Sequence, residues 1–336
     1  MKIHECVISL FIGIGVFILA MRLMTDTLNE IAGERMRYLI KRLTSNRISG
    51  VLVGALVTAV IQSSSATTVM VLGFINVNVM TLEQAAAIII GANIGTTITA
   101  FIASLESLNI ALYLSLLVFI GVFASFIKKV SKVGNLLTGL GMIFVGLRLM
   151  SGAFNDEGIK KEFEKVLKKI SFPLLLELLG IVLTALMQSS SAMTGIIIIM
   201  VSKRIMTLSS ALFILLGTNV GTCVTALFGI IGGNTNSKRT AVIHFTFNVF
   251  GLLLFTPIVW IFRSQIEAFL KKLVSKEAMQ LAFFHLFFNV ITAIIVIPLI
   301  NYLVKMTQWL IKEDNPEEEV FEEIIASEEK FECNQI

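Results

Sequence analysis

The stretch TAVIQSSSATT at residues 58–68 returns as TALMQSSSAMT at residues 184–194. Each copy places one amide and several hydroxyls inside an otherwise apolar run. Shifting the sequence by 126 residues matches 20 of 47 positions between 54–100 and 180–226 without a gap. The register holds across Gln, Ser, Asn and Gly, which a chance similarity between two apolar stretches would not maintain. The chain therefore contains an internal repeat.

The composition indicates an all-α polytopic membrane protein. Of the 336 residues, 56% are hydrophobic and 15% are charged, whereas soluble domains carry about 25% charged residues. Apolar windows such as 108–127 and 279–300 are long enough to cross a membrane as helices. Their continuity argues against the alternating strands of a β-barrel. The N-terminal apolar segment has no small-residue cleavage site, so we expect a retained helix and not a signal peptide.

Both repeat units have the same predicted order of elements. In chain order these are a membrane helix (7–24; 135–150), an amphipathic stretch of the kind that lies in the headgroup plane (28–43; 154–170), the QSSS segment (48–76; 172–201), a helix with an Asn-Gly motif (80–104; 206–231) and a closing helix (108–127; 240–262). We assign 1–127 to the first unit, 128–263 to the second, 264–305 to an interfacial stretch with a final membrane helix, and 306–336 to an acidic solvated tail.

The QSSS segment allows two interpretations. As one helix, residues 48–76 would extend about 43 Å, against a hydrocarbon core of about 30 Å, so the segment could be a single tilted span. It could also be two half-length arms with the polar block at the turn, because Ser and Thr favour helix ends and irregular backbone is tolerated beside a cavity. The two arms predict seven crossings and inverted repeats, whereas the single span predicts parallel repeats.

The two polar blocks carry residues suited to binding an anion. Hydroxyls and amides both donate and accept, and a helix break adds free N–H groups at the positive end of a helix dipole. The alternative is a structural role, because Ser and Thr often join membrane helices by hydrogen bonds. Duplication in register favours a binding site. The candidate anion-binding residues are Gln62, Ser63, Ser64, Ser65, Gln188, Ser189, Ser190 and Ser191.

The Asn-Gly motifs are the second pair of candidates. Glycine on both sides of Asn93 and of Asn219 weakens a helix, and a break would expose carbonyls beside amide and hydroxyl oxygens. Such hard oxygens suit Na⁺. The alternative is close helix packing, which the spacing Gly91-x-x-x-Gly95 also fits. Duplication again favours function, so we expect broken helices at these motifs.

Charged residues are rare inside the predicted spans. Almost no charged residue lies near mid-depth, because Glu83 and Glu177 lie toward segment ends and Arg22 and Arg148 end their helices. A proton-driven carrier would usually contain a buried carboxylate, so the pattern favours Na⁺ coupling over H⁺ coupling. Two His-x-x-x-Asn pairs, beginning at His244 and His285, predict hydrogen bonds between helices. No catalytic constellation, nucleotide-binding motif or basic-aromatic nucleic-acid pattern is present, so we predict neither an enzyme nor a nucleic-acid partner.

The duplicated QSSS block, each copy followed by Gly-x-Asn-x-Gly-Thr, resembles the type II sodium/phosphate cotransporter family. The resemblance covers roughly residues 10–300. It implies inverted repeats, a re-entrant hairpin with QSSS at its tip in each, and symport of inorganic phosphate with Na⁺ by alternating access in the plasma membrane. It implies no cofactor besides the coupling ion. Carried over residue by residue, the eight candidate anion-binding residues of the two QSSS blocks become the predicted phosphate-binding residues. The implied sodium-binding residues are Gln62, Ser63, Thr67, Asn93, Thr96, Gln188, Ser189, Thr218, Asn219, Thr222 and Thr225.

The sequence is also compatible with other functions. The cargo could be another oxyanion or a dicarboxylate, or the protein could export phosphate. In a different class, a channel or membrane interaction protein could use the polar blocks only to join helices. Relatives differ from this chain in carrying a long loop between the halves or a soluble C-terminal domain, whereas here the connection is the short KKVSKVGN at 128–135.

Overall fold

The computed structural model describes residues 3–44, 46–77, 79–108, 110–170, 172–231 and 233–313. Within these ranges every regular element is a helix, which confirms the predicted all-α class. The helices are α1 Ile3–Leu43, α2 Arg47–Ile61, α3 Ser64–Asn76, α4 Leu82–Ser104, α5 Ala111–Ser115, α6 Leu117–Ser125, α7 Ser131–Ala153, α8 Glu157–Lys169, α9 Pro173–Met187, α10 Ser190–Ser202, α11 Leu208–Gly221, α12 Cys223–Gly229, α13 Thr235–Leu273, α14 Glu277–Val296 and α15 Ile300–Leu310.

Six helical stretches within the described residues are long and apolar enough to cross a membrane. They are His4–Leu43, Leu82–Ser107, Ser131–Ala153, Leu208–Gly229, Thr235–Leu273 and Glu277–Leu310. The chain is therefore a multi-pass membrane protein in its architecture.

The predicted crossing at 108–127 is not among these six stretches. It forms α5 and α6, which together cover only Ala111–Ser125. Fifteen helical residues rise about 22 Å, which is short of the roughly 30 Å hydrocarbon core. The helical part is shorter than the predicted 108–127 because the turn before Ala111 and the irregular chain after Ser125 remove residues from both ends of the apolar window.

The first amphipathic stretch is not a separate helix, contrary to the prediction for 28–43. Helix α1 is 41 residues long and continues through this stretch to Leu43. In the second unit the chain does break, and the Asp156 carboxylate accepts the Gly158 N–H at 2.9 Å at the start of α8. The repeat position of Asp156 is Glu30. Glutamate favours helix interiors, whereas aspartate favours helix starts, so this difference is consistent with an interruption in the second unit only.

Each QSSS segment forms two helices that meet at the polar block. Gln62 separates α2 from α3, and Gln188 separates α9 from α10, with φ values of 60° and 51°. This left-handed conformation is uncommon for residues other than glycine and ends a helix. The next residue in each block, Ser63 or Ser189, has an extended backbone and begins the following helix as its N-cap.

Side-chain contacts locate α3 beside the end of α2. The Thr58 and Thr67 Oγ1 atoms are 2.9 Å apart. Nine residues of continuous helix would separate them by about 13.5 Å along the axis. The chain therefore changes direction at the block and does not pass through it as one straight helix.

Helix α4 runs without a break through its Asn-Gly motif, so the predicted break is wrong in the first unit. A Cβ atom on Gly91 would lie 2.0 Å from the Val51 carbonyl oxygen of α2. The glycine is needed for close helix packing, which was the alternative interpretation of this spacing. Asn93 Nδ2 donates to the Ile89 carbonyl at 3.0 Å, within the same helix.

The second Asn-Gly helix has only a local irregularity. Helix α11 gives way to α12 at Thr222, whose backbone stays in the right-handed helical region at φ −62° and ψ −25°. Its N–H still donates to the Thr218 carbonyl at 3.1 Å. In the second unit the predicted break is therefore present only as this interruption at one residue. Gly217 packs against α9 as Gly91 packs against α2.

The last part of the described chain consists of long helices. Helix α13 contains Pro257 and has a non-helical residue, Phe262 (φ −106°, ψ 20°), where its axis kinks. Helices α14 and α15 follow, and α15 ends at Leu310. Most of the predicted acidic tail, residues 314–336, lies outside the described residues.

Candidate functional site: a cavity between the two QSSS blocks

The first QSSS block (62–65) and the second QSSS block (188–191) line one cavity. Its volume is about 370 Å³, within the range of small-molecule sites. All eight predicted phosphate-binding residues are in its wall. The lining residues are Ile18, Met21, Arg22, Thr25, Asp26, Gln62, Ser63, Ser64, Ser65, Met187, Gln188, Ser189, Ser190 and Ser191.

Local backbone geometry makes this cavity suited to an anion. Helices α3 and α10 both begin at the cavity, and each has 13 residues. The first N–H groups of a helix have no acceptor within it, and the helix dipole is positive at that end. The cap hydroxyls of Ser63 and Ser189 accept the N–H groups of Ala66 and Ala192 at 3.1 and 3.2 Å. Two positive helix ends therefore face the same space.

Helix α1 contributes five residues that the sequence analysis did not assign to the site, of which Arg22, Thr25 and Asp26 are polar. Two of these residues, Arg22 and Asp26, are charged, so the cavity wall does not consist of neutral groups alone. Arg22 was placed at a helix end, but α1 continues to Leu43 and carries the charged residues along the cavity wall. The only sequence signal was the repeated Arg-Leu-Met at 22–24 and 148–150.

Hydrogen bonds connect the first block to the neighbouring helices. Thr99 of α4 donates to Gln62 Oε1 at 3.2 Å, and the Gln62 amide nitrogen donates to the Ala59 carbonyl. Ser65 Oγ and Thr225 Oγ1 of α12 are 3.2 Å apart. Thr225 gives its proton to the Thr222 carbonyl at 2.8 Å. A hydroxyl has one proton, so Ser65 is the donor to Thr225.

The Ser65–Thr225 contact joins the two repeat units, and it provides a stability prediction. In a double-mutant cycle with Ser65→Ala and Thr225→Val, we expect a coupling free energy of about 0.5–1.5 kcal/mol. Unfolding of the four purified proteins measures it. Additive losses would contradict a direct contact. The pair Thr207→Val and Ser210→Ala, whose hydroxyls lie 3.0 Å apart at the start of α11, provides a cycle within a single unit for comparison.

The two blocks differ in their environment although they are related by the repeat. Gln62 is buried at 8% exposure, and both ends of its amide are hydrogen-bonded. Gln188 is exposed to the cavity, and its side chain forms no hydrogen bond within the described chain. Thr99 bonds the glutamine of its own unit, whereas its repeat equivalent Thr225 bonds the opposite block. The site is therefore asymmetric in this structure.

The remaining predicted sodium-binding residues do not line the cavity. On α4, Thr96 Oγ1 donates to the Ala92 carbonyl at 2.9 Å, and the Asn93 amide is bonded within its own helix. Thr67 contacts Thr58 and the Ser63 carbonyl, directly behind the first block. Thr218 and Thr222 donate to carbonyls one turn earlier in the chain. The donor oxygens are thus distributed behind the cavity and not gathered at one point of its wall.

Asn219 lies in a buried network with α14. Its Nδ2 donates to Asn289 Oδ1 at 2.9 Å, and its Oδ1 is 3.2 Å from His285 Nε2. The other His-x-x-x-Asn pair contacts α12, where Asn248 Nδ2 lies 3.3 Å from Cys223 Sγ. These contacts confirm the predicted hydrogen bonding between helices. The sequence did not indicate that one pair would contact a predicted sodium ligand.

Comparison with known proteins adds the family. A sequence profile described as Na⁺/Pi-cotransporter matches residues 16–152 and 156–292, so that both repeat units are covered. The chain belongs to this family. The family resemblance inferred from the duplicated motifs is confirmed, and the family is one of transporters and not a class of enzymes.

Several named proteins are similar to this chain in sequence. The uncharacterised protein YqeW of Bacillus subtilis is 29% identical over 298 residues, covering 88% of this chain and 95% of YqeW. YjbB of Escherichia coli K12, provisionally named an inorganic phosphate export protein, is 24% identical over 86% of this chain, which spans 52% of YjbB. Human sodium-dependent phosphate transport protein 2B is 44% identical over 61 residues, covering 18% of this chain and 9% of that protein. No solved structure matches the chain.

Proposed function

We propose that the protein carries inorganic phosphate across the plasma membrane by Na⁺-coupled symport. The observation that carries the proposal is the meeting of both QSSS blocks, with two helix N-termini, at one cavity. Family membership and the sodium-dependent phosphate transport named for a human relative support the cargo and the coupling ion. Hydroxyls and helix N-termini can bind an oxyanion, and Arg22 adds a positive charge to the same cavity wall.

In this proposal, phosphate occupies the cavity between the first and second QSSS blocks. Sodium ions bind to the amide and hydroxyl oxygens behind it and lower the electrostatic cost of the anion. Gln62, Ser63, Gln188 and Ser189 then belong to both sites. The further sodium ligands are Thr67, Asn93, Thr96, Thr218, Asn219, Thr222 and Thr225, as the family resemblance implies.

The architecture we propose has two inverted repeats, each with a re-entrant hairpin formed by α2–α3 or α9–α10. The change of chain direction at Thr58–Thr67 supports a hairpin. The helices have 13 to 15 residues, or about 20–22 Å, and are too short to cross the hydrocarbon core individually. Alternating access would exchange the environments of Gln62 and Gln188, so the observed asymmetry corresponds to one end of the cycle.

Uptake of radiolabelled phosphate into proteoliposomes tests this function. With an inward Na⁺ gradient we expect phosphate to accumulate above its external concentration. Replacing Na⁺ by K⁺ on both sides should abolish the accumulation, and collapsing the gradient with a Na⁺ ionophore should release the accumulated phosphate. Uptake at the same rate without Na⁺ would contradict the proposal.

Phosphate export is the second candidate, because the relative YjbB, provisionally named for export, aligns over 86% of this chain. An exporter that is not coupled to Na⁺ would release phosphate from preloaded vesicles at a rate independent of Na⁺, and an inward Na⁺ gradient would not drive accumulation. Competition of phosphate uptake by arsenate, sulfate and succinate tests the remaining alternatives, another oxyanion or a dicarboxylate as cargo.

A further inference from the structure

Three polar residues of α1 line the same cavity as the two QSSS blocks. Arg22, Thr25 and Asp26 are spaced by three and four residues, so they lie on one face of the helix. Arg22 brings a positive charge and Asp26 a negative charge to the cavity, and the other polar side chains of its wall are neutral.

Neither charge is used in an ion pair within the described part of the chain. Glu30, one turn beyond Asp26 on α1, forms an ion pair with Lys132 at 2.9 Å. Arg22 and Asp26 have no such partner within 4 Å among the described residues, and both are exposed at the cavity. Their hydrogen-bonding groups are therefore available to a ligand.

Arg22 and Asp26 interact with an oxyanion in opposite ways. The Arg22 guanidinium can donate two parallel hydrogen bonds to an oxyanion. An ionised Asp26 carboxylate only accepts hydrogen bonds, so it repels an anion that offers only acceptor oxygens. Inorganic phosphate keeps a P–OH group near neutral pH and can donate that proton to the carboxylate. Sulfate has no proton to donate at the same pH, and its oxygens would face the Asp26 oxygens without a hydrogen between them.

We propose that Arg22 and Asp26 form the part of the site that selects phosphate over sulfate. Arg22 attracts either oxyanion, and Asp26 accepts the P–OH hydrogen bond and excludes the fully deprotonated anion. A site built to pair with a substrate hydroxyl discriminates strongly against an analogue that lacks it. This inference rests on the proposed function, because it assigns phosphate to the cavity.

Replacing Asp26 by asparagine tests the selection. Radiolabelled phosphate uptake into proteoliposomes is measured in saturating Na⁺ with unlabelled sulfate as competitor. In the unmodified protein we expect sulfate to compete poorly. In Asp26→Asn we expect sulfate to inhibit at a concentration at least about tenfold lower, because the asparagine amide can donate to a sulfate oxygen. The concentration of Na⁺ for half-maximal uptake should not change.

Two matched controls are available in the chain. Glu30→Gln removes a carboxylate from the same helix outside the cavity, and it should leave sulfate competition unchanged. Arg22→Gln should raise the phosphate KM at least about tenfold, whereas Arg148→Gln, its repeat equivalent outside the cavity wall, should not. If Asp26→Asn does not reach the membrane, Asp26→Ser also removes the carboxylate and provides the same test.

The outcomes separate this inference from the proposed function. Unchanged sulfate competition in Asp26→Asn would overturn the selection role while phosphate uptake by the unmodified protein stands. A shift in the Na⁺ requirement with selectivity retained would also overturn it, because Asp26 would then be a sodium ligand. Absence of Na⁺-dependent phosphate uptake by the unmodified protein would instead contradict the proposed function.

Discussion

Replacing Ser189 by alanine will lower phosphate uptake at sub-saturating phosphate by about ten- to a hundredfold, because a hydrogen bond to a charged group contributes about 1.5–3 kcal/mol. The Ser189 hydroxyl accepts the Ala192 N–H at 3.2 Å, and its own proton remains available to the anion. Gln188→Ala should have a similar effect, because this amide is exposed at the cavity and forms no hydrogen bond within the described chain. Initial rates in proteoliposomes measure both losses.

A comparison of serines separates the loss of binding from the loss of a helix cap. Removing a cap hydroxyl costs about 1 kcal/mol of stability, so Ser189→Ala should remain folded. Ser49→Ala removes a capping hydroxyl at the start of α2, where Ser49 Oγ bonds the Asn46 backbone outside the cavity wall. We expect normal uptake in Ser49→Ala and partial recovery in Ser189→Thr. Normal uptake in both Ser189→Ala and Gln188→Ala would remove the second block from the site.

Gly217→Ala will be among the most damaging single substitutions in the chain, although it adds only one methyl group. The added Cβ would lie 2.0 Å from the Glu177 carbonyl oxygen and 2.9 Å from its carbon. The obstacle is backbone, so relief requires α9 and α11 to move apart. We expect a destabilisation of about 3 kcal/mol or more, at the upper end of the cost of overpacking a core. Loss of the monodisperse peak in size-exclusion chromatography and a large fall in Tm measure it.

Gly73→Ala is the control for Gly217→Ala. Gly73 lies within α3 on an exposed face, and a Cβ there would contact nothing within 4 Å. Alanine is favoured over glycine in a helix interior by about 1 kcal/mol, so this variant should be as stable as the unmodified protein or slightly more stable. Equal stability of the two variants would contradict the close packing of α9 on α11.

The parts of the fold that depend on local chemistry could be predicted only in part from the sequence. Serine favours the start of a helix, so a break at each polar block was one of two interpretations, and the family resemblance selected it over a single tilted span. The repeat then allowed the second block to be related to the first. The family resemblance predicted that the two blocks form one site. A separation of 126 residues along the sequence does not indicate how far apart the two blocks lie in the folded chain.

Other parts depended on distant contacts that a single sequence does not display. Glycine around Asn93 is compatible with a helix break or with close packing, and the decision depends on the backbone of α2 lying against Gly91. The sequence analysis ended the first membrane helix at residue 24, whereas α1 continues to Leu43 and contributes Arg22 and Asp26 to the cavity wall. The contact of His285 with Asn219 likewise joins residues 66 apart in the chain.

Equilibrium binding of radiolabelled phosphate to the purified protein in saturating Na⁺ tests the central claim most directly, namely that both QSSS blocks form one site. We predict one phosphate per chain, with affinity reduced by Ser63→Ala and by Ser189→Ala alike and with a single binding isotherm in each variant. Binding of two phosphates per chain, with each variant losing only one of them, would show that the blocks form separate sites and would contradict the account.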